Sequence, residues 1–246
     1  MEYKIIIYFK LRSKSLSRRM GKILNRSVCI IGPQSTGKTT LVNALVNRLS
    51  GDIPVIREVA RTVMQNKGYT REDVDSGDPL RRFAMQRDIF DAQIELEKEL
   101  LNSGKAFISD RCAIDPLVYL THFAGGDGES QELIASNEWR QAQARYANKA
   151  KFLIVLLLPV PQFLVDDEIR YVAKSLTDWY SLAHSFREFV NARRIPVMEI
   201  GPECVGIEER VDLVLKELGA AGNNPLREIW TEWSSRLSRI LLNLKR

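Results

Sequence analysis

The chain has 246 residues, with 36 lysines and arginines against 31 aspartates and glutamates, for a formal net charge of +5. At 45% hydrophobic, 8% aromatic and 27% charged, the composition excludes a wholly disordered chain, a collagen or a coiled-coil rod. Its longest unbroken apolar run, Phe152–Leu158, falls far short of the roughly 20 residues a membrane helix needs.

Charge is unevenly placed. Residues 1–26 carry eight bases and one acid, residues 223–246 carry five and two, and the stretch between carries 23 against 28. An acidic body therefore has basic ends, and no specific nucleic-acid partner is expected. The first 26 residues, with Ser13, Ser15 and Ser17 among the bases, share their composition with mitochondrial presequences and with solvated basic arms. A start at Met20 is a third reading. Cys29, Cys112 and Cys204 are too scattered for a disulfide framework or a zinc site, so a reducing, cytoplasmic setting is the expectation.

Ser27–Ile31 reads as a buried strand. It leads into Gly32, Pro33, Gln34, Ser35, Thr36, Gly37, Lys38 and Thr39, which fit G-x-x-x-x-G-K-[ST] and are followed by Thr40 as a further nucleotide-binding candidate, and then into a helical pattern with Leu41, Leu45 and Leu49 at spacing four. Strand, glycine loop and helix are the context a phosphate-binding loop requires. The two glycines let successive N–H groups turn toward one point, and the helix N-terminus adds positive partial charge. Lys38 is expected on the β- and γ-phosphates of ATP or GTP, and Thr39 on Mg²⁺.

Further apolar runs at Pro54–Ile56, Ala106–Ile108, Phe152–Leu157 and Pro196–Ile200 alternate with helical stretches, one spanning roughly Leu80–Leu101. The pattern predicts an α/β three-layer fold of the P-loop NTPase, nucleoside- or nucleotide-kinase type, with a five-stranded parallel sheet over residues 27–219. Ligands then sit at the carboxyl ends of the strands. The second strand is followed by Arg57, Glu58 and Arg61, and the third by Ser109, Asp110 and Arg111. An acid at such a strand end can serve Mg²⁺ or accept a proton from an attacking hydroxyl. Asp110 is the first candidate, against a helix cap or an ion pair with Arg111. Glu58 is the second, against an exposed charge at a helix start. Arg61 and Arg111 are candidate substrate contacts. After the fourth strand, Arg170 is placed to close over phosphates as a lid residue, against a surface pair with Asp166 or Asp167.

On these pieces the chain resembles the P-loop, AAA-like family that joins the ribosylnicotinamide kinase domain of NadR with the TRPL translocation defect proteins. The matching motifs are GPQSTGKTTL at 32–41, REVAR at 57–61, FISDR at 107–111 and VDDEIR at 165–170, over about Ser27–Leu218. The resemblance implies nucleotide and magnesium at Lys38 and Thr39, an acceptor site lined by Glu58 and Arg61, and a lid carrying Arg170. The chain departs from the family pattern at Ser109-Asp110-Arg111, nearer the Asp-Arg of nucleoside kinases, and at Glu168, where a glycine is usual.

Gln86 and Gln93 lie seven apart on one helical stretch. A solvent face is the leading expectation for them, with base or carboxamide recognition as the other reading. Arg81, Arg82 and Arg87 read first as a charged helix surface, with phosphate contact as the other reading. His122 and His184 have no metal or triad spacing, and Cys112 reads as a small buried hydrophobe. Beyond Pro225, Leu226, Ile229, Trp230, Trp233, Leu237, Ile240, Leu241 and Leu244 form the apolar stripe of a basic amphipathic helix. Docking on its own domain, a homodimer or another protein leads over an anionic membrane surface.

Two functions lead, with a bare NTPase that has no acceptor as the remainder. The first is ATP- and Mg²⁺-dependent phosphoryl transfer to a small, nucleoside-like acceptor. The second is a nucleotide-binding regulatory module (ATP or GTP) with a lipid or protein partner. No Asn/Thr-Lys-x-Asp string of the guanine-specific GTPases is present, so guanine preference has no support in the sequence.

Overall fold

In the computed structural model, which describes residues 24–49, 52–74, 78–124, 129–163 and 175–220, the apolar runs pair into one parallel sheet. Its strands are β1 (Ser27–Ile31), β2 (Val55–Ile56), β3 (Ile108–Asp110), β4 (Phe152–Leu157) and β5 (Val197–Ile200), in the order β2-β3-β1-β4-β5. Every residue of β1 and β4 is buried, as expected for central strands covered on both faces. The third strand starts later than the apolar run suggests. Its pairing of Val28 with Ile108 and Ile30 with Asp110 carries the ladder through Ser109 and Asp110. Two polar side chains are thereby buried at the strand's carboxyl end.

Helices cover both faces. One layer is α1 (Lys38–Leu49) with α8 (Ile207–Ala220). Leu41, Val42 and Leu45 meet Val211 and Val214 there, beneath Val28, Ile30 and Val155. The other layer is α2 (Val59–Lys67), α3 (Pro79–Asn102), α4 (Ile114–Phe123), α5 (Glu129–Ile134), α6 (Asn137–Tyr146) and α7 (Leu176–Ala192). Its core gathers Met85, Phe90, Leu117, Trp139 and Phe186 beneath Cys29 and Ile31. α3 begins where its sequence dictates. Asp78 caps it by accepting from Leu80 N at 3.0 Å and Arg81 N at 3.2 Å, and Pro79 takes the first turn.

Arg26, counted above with the basic arm, is buried. Its guanidinium donates to the carbonyls of Phe152 at 3.1 Å and Glu217 at 3.2 Å, so the chain ahead of β1 is tied to β4 and α8. The rest of the arm, the Gly125–Gly128 loop, the 165–170 motif with Arg170, and the 223–246 amphipathic segment lie outside the described residues. Among the described residues no helix is long and apolar enough to cross a membrane.

One carboxyl, Glu97 of α3, is buried in the larger helical layer. Glu97 accepts from Tyr146 OH at 2.6 Å and from Gln93 Nε2 at 3.0 Å, with no solvent exposure. Burial raises its pKa above the ordinary 4.5, although Tyr146 and Gln93 pull the other way. A carboxyl raised in the folded state contributes stability below its unfolded pKa and loses it as pH rises through the folded value. The stability of the wild type relative to Glu97→Gln is therefore expected to fall as pH rises above about 4.5, by at most about 1.4 kcal/mol per pH unit. Denaturant unfolding over a pH series measures this, and a flat difference would contradict it.

Candidate functional site

The loop after β1 owes its path to three left-handed or extended turns: Gly32 at φ +131°, Ser35 at +56° and Gly37 at +86°. A Cβ on Gly32 would sit 2.5 Å from the Leu157 carbonyl oxygen. Main chain cannot yield to that contact as a flexible side chain can. Gly32→Ala is expected to destabilise the fold by about 2–5 kcal/mol, from the clash and the unfavourable φ together. The denaturant midpoint reports it, and a shift below about 1 kcal/mol would show that the loop can move off β4.

The loop's carbonyls are engaged from behind by several elements. Trp179 Nε1 of α7 donates to Gln34 O at 2.9 Å, and Arg210 Nη1 of α8 donates to Thr36 O at 2.9 Å. Thr36 Oγ1 donates to Pro33 O at 3.0 Å, and the Lys38 ammonium donates to the same oxygen. Tyr119 OH of α4 donates to Gln34 Oε1 at 2.9 Å. With these carbonyls turned outward, the loop's N–H groups are left for its concave side, where the N-terminus of α1 also points.

The strand ends supply the rest. Thr39 Oγ1 donates to Asp110 Oδ2 at 2.5 Å, so Asp110 joins the loop rather than capping a helix or pairing with its neighbour. Arg111 turns away at φ +81° and donates from Nη1 to Asp115 Oδ1 at 2.7 Å, with its guanidinium carbon 5.6 Å from the Tyr119 ring centre. Burial opposes the Arg111 charge, but Tyr119, Asp115 and Asp110 outweigh it and hold its proton more tightly than usual. Burial raises the Asp115 carboxyl, while Arg111 and Lys38 pull it back. Glu58 sits at φ +56° at the head of α2 and makes no side-chain cap; its carboxylate meets Arg61 Nε at 3.0 Å. Three of the four described non-glycine residues with positive φ (Ser35, Glu58 and Arg111) therefore border one site. Strain of this kind gathers where geometry is imposed by function.

These groups line a single cavity of about 600 Å³. Gln34, Ser35, Gly37, Lys38, Thr39 and Thr40 form one part of its wall, and Glu58, Arg61, Asp110 and Arg111 another. Gly32, Pro33 and Thr36 shape the loop without lining the cavity. A third part, from α2 and α3, is apolar at Val59, Met64, Met85 and Ile89 and polar at Gln86 and Gln93. The expected solvent face for the two glutamines is therefore corrected. Both are nearly fully buried against the cavity, because α3 turns that stripe toward the strand ends. Of the three arginines read as a helix surface, Arg81 pairs with Asp73 and Arg87 with Glu132, but Arg82 is buried. Cys112 is fully buried and its thiol pKa is pushed up by that burial, as its reading as a small hydrophobe requires. His122 bonds Ser185 and His184 pairs with Glu188, both away from the cavity.

The Thr39 hydroxyl and the Asp110 carboxylate are hard oxygen donors beside the loop. Among the described residues no three His, Cys, Asp or Glu side chains converge as a metal cage. That sparse donor set suits Mg²⁺, which keeps waters and takes phosphate oxygens. No motif points to Tyr119, Trp179 or Arg210, because each reaches the loop from a distant helix, nor to Asp115, which acts through Arg111 and Cys112 N.

A family described as an AAA domain matches residues 27–229 by its sequence profile, and no curated protein matches the chain. Among solved structures, a NadR protein in complex with NR is similar at a TM-score of 0.61 and 20% identity, over 80% of this chain and 52% of that one. The chain thus spans about half the length of that NadR. A deoxyadenosine kinase from M. mycoides with bound dATP is similar at a TM-score of 0.51 and 16% identity, over 78% of this chain and 98% of that one. The fold is the α/β three-layer fold of P-loop kinases.

Proposed function

This chain belongs to the AAA-domain family, and on that premise we propose that it transfers the terminal phosphoryl group of ATP, or of GTP, to a hydroxyl of a small nucleoside-like acceptor. The observation that carries this reading is the single cavity joining the phosphate-binding loop to Glu58, Arg61 and an apolar recess edged with amides. A pure nucleotide hydrolase needs the first part but not the recess. The similar NadR structure with NR and the similar deoxyadenosine kinase support a nucleoside-like acceptor.

In this mechanism Lys38 and the loop N–H groups hold the β- and γ-phosphates. When bound at Thr39 and Asp110, magnesium supplies neutralisation of the phosphate oxygens. Asp110 already accepts from Thr39, which leaves Glu58 as the base. The acceptor oxygen bonds to the γ-phosphorus as the bridging P–O bond breaks. Nucleoside diphosphate leaves, and the hydroxyl proton passes to the Glu58 carboxylate. Arg61 holds Glu58 in place, and Arg111 braces the strand end through Asp115. Arg170 is proposed to close over the transferring group. The work is positioning and fixed charge.

The test is release of nucleoside diphosphate by the full chain with Mg-ATP or Mg-GTP, alone and with each member of a nucleoside panel that includes nicotinamide riboside. Acceptor-dependent release supports the proposal. Tight nucleotide binding with no acceptor-dependent release would replace it with the regulatory module, in which a lipid or protein partner reads the nucleotide state.

A further inference from the structure

The amide on the cavity floor is fixed in one orientation. Gln93 Nε2 donates to Glu97 Oε1 at 3.0 Å and to Ser109 Oγ at 3.2 Å. Ser109 cannot be the donor in that pair, because its own hydroxyl hydrogen goes to the Arg111 carbonyl at 2.5 Å. Glu97 cannot supply the donor instead without setting two oxygens against each other at Ser109. Both amide hydrogens of Gln93 are therefore committed. Its carbonyl oxygen is the atom left over, and among the described residues nothing donates to it. Gln93 is 2% exposed and lines the cavity, so that oxygen is a pre-oriented acceptor with no competing role.

Two turns earlier on α3, Gln86 also lines the cavity. It is 4% exposed and has no hydrogen-bond partner among the described residues. Its amide offers both a donor and an acceptor. The same cavity is lined by the apolar side chains of Met64, Val74, Met85 and Ile89, with Tyr69, Thr70 and Arg71 at its wall as well. Apolar side chains together with two amides on one helix fit a flat ring with hydrogen-bonding groups on its edge.

We infer that Gln93, held by Ser109 and Glu97, is a specificity-determining residue that requires an N–H donor on the ring of the acceptor, with Gln86 reading the neighbouring edge. This rests on the proposed kinase reading for the location of the acceptor, and it adds which acceptors are taken. Rings bearing an amino or carboxamide N–H are bound, and the same rings without it are rejected, because the Gln93 oxygen would be buried without a partner.

The test uses matched ligands on the full wild-type chain, read first by equilibrium binding without nucleotide. The pairs are adenosine against purine riboside, and nicotinamide riboside against nicotinic acid riboside. The expected result is at least about tenfold tighter binding of the amino or carboxamide member in at least one pair. In Gln93→Met, whose thermal unfolding is checked alongside, that preference should collapse while nucleotide binding is retained. Equal binding within each pair, or no binding of any of the four, would overturn the inference. So would a preference that survives in folded Gln93→Met. Discrimination in binding without turnover would sink the kinase reading and leave this inference standing. Turnover without discrimination would do the reverse.

Discussion

Lys38→Ala is expected to lower phosphoryl transfer by about 10²- to 10³-fold, the usual cost of one fixed donor to the charge of a transition state. The ammonium is nearly fully buried at the start of α1 and is already turned onto its own loop, to Pro33 O and to Thr36 Oγ1 at 3.3 Å. It meets the phosphates without first being ordered. Because it touches them before and during transfer, the nucleotide KM should rise along with the fall in kcat. Arginine should not rescue it. A planar guanidinium does not fill the position of a compact ammonium inside a closed loop. The same lysine lowers the Asp115 carboxyl, so the alanine variant should also shift how that buried pair titrates. Steady-state kinetics on a variant that still unfolds cooperatively checks the claim, and near-normal kcat would remove Lys38 from the mechanism.

Glu58→Gln is expected to cut kcat by about 10²- to 10⁴-fold, the range for loss of a positioned base. The nucleotide KM should stay unchanged, because Glu58 stands on the acceptor side of the cavity. The residue pairs with Arg61 yet remains more than a third exposed, so stability should barely move. Its backbone adds a second expectation. At φ +56° a glutamate is strained by about 1 kcal/mol or more, which glycine would relieve. Glu58→Gly should therefore lose activity without losing stability, measured by denaturant unfolding beside the kinetics. Loss of stability with normal kcat would make Glu58 a structural residue.

How much of this could be read in the sequence depends on how far apart the interacting residues lie. The phosphate-binding loop is local. Strand, glycines, lysine and helix follow one another within 23 residues, Ser27–Leu49, and each constrains the next. The α3 helix was legible for the same reason, expected over Leu80–Leu101 and observed over Pro79–Asn102. The acids at the strand ends were legible because a parallel sheet delivers the end of every strand to one edge. What an acid does there was not. That Asp110 pairs with Thr39 while Arg111 pairs with Asp115 depends on the left-handed turn at Arg111, which no spacing rule announces. Gln86 and Gln93 were misplaced because a helix of low amphipathicity, packed on two neighbours, does not reveal which polar stripe faces a cleft. Trp179 and Arg210 look like ordinary core and surface residues of their helices. Their contacts with Gln34 and Thr36 span 145 and 174 residues, and only the assembled fold brings them together.

In the proposed reaction the terminal phosphoryl group goes to an organic hydroxyl and not to water. The most direct measurement follows the fate of label from γ-labelled ATP, and separately GTP, incubated with the full chain, magnesium and a mixture of nucleosides. Label is expected in a phosphorylated nucleoside, formed about 10²- to 10³-fold more slowly with Lys38→Ala. Label found only in inorganic phosphate, or retained in the nucleotide, would contradict it.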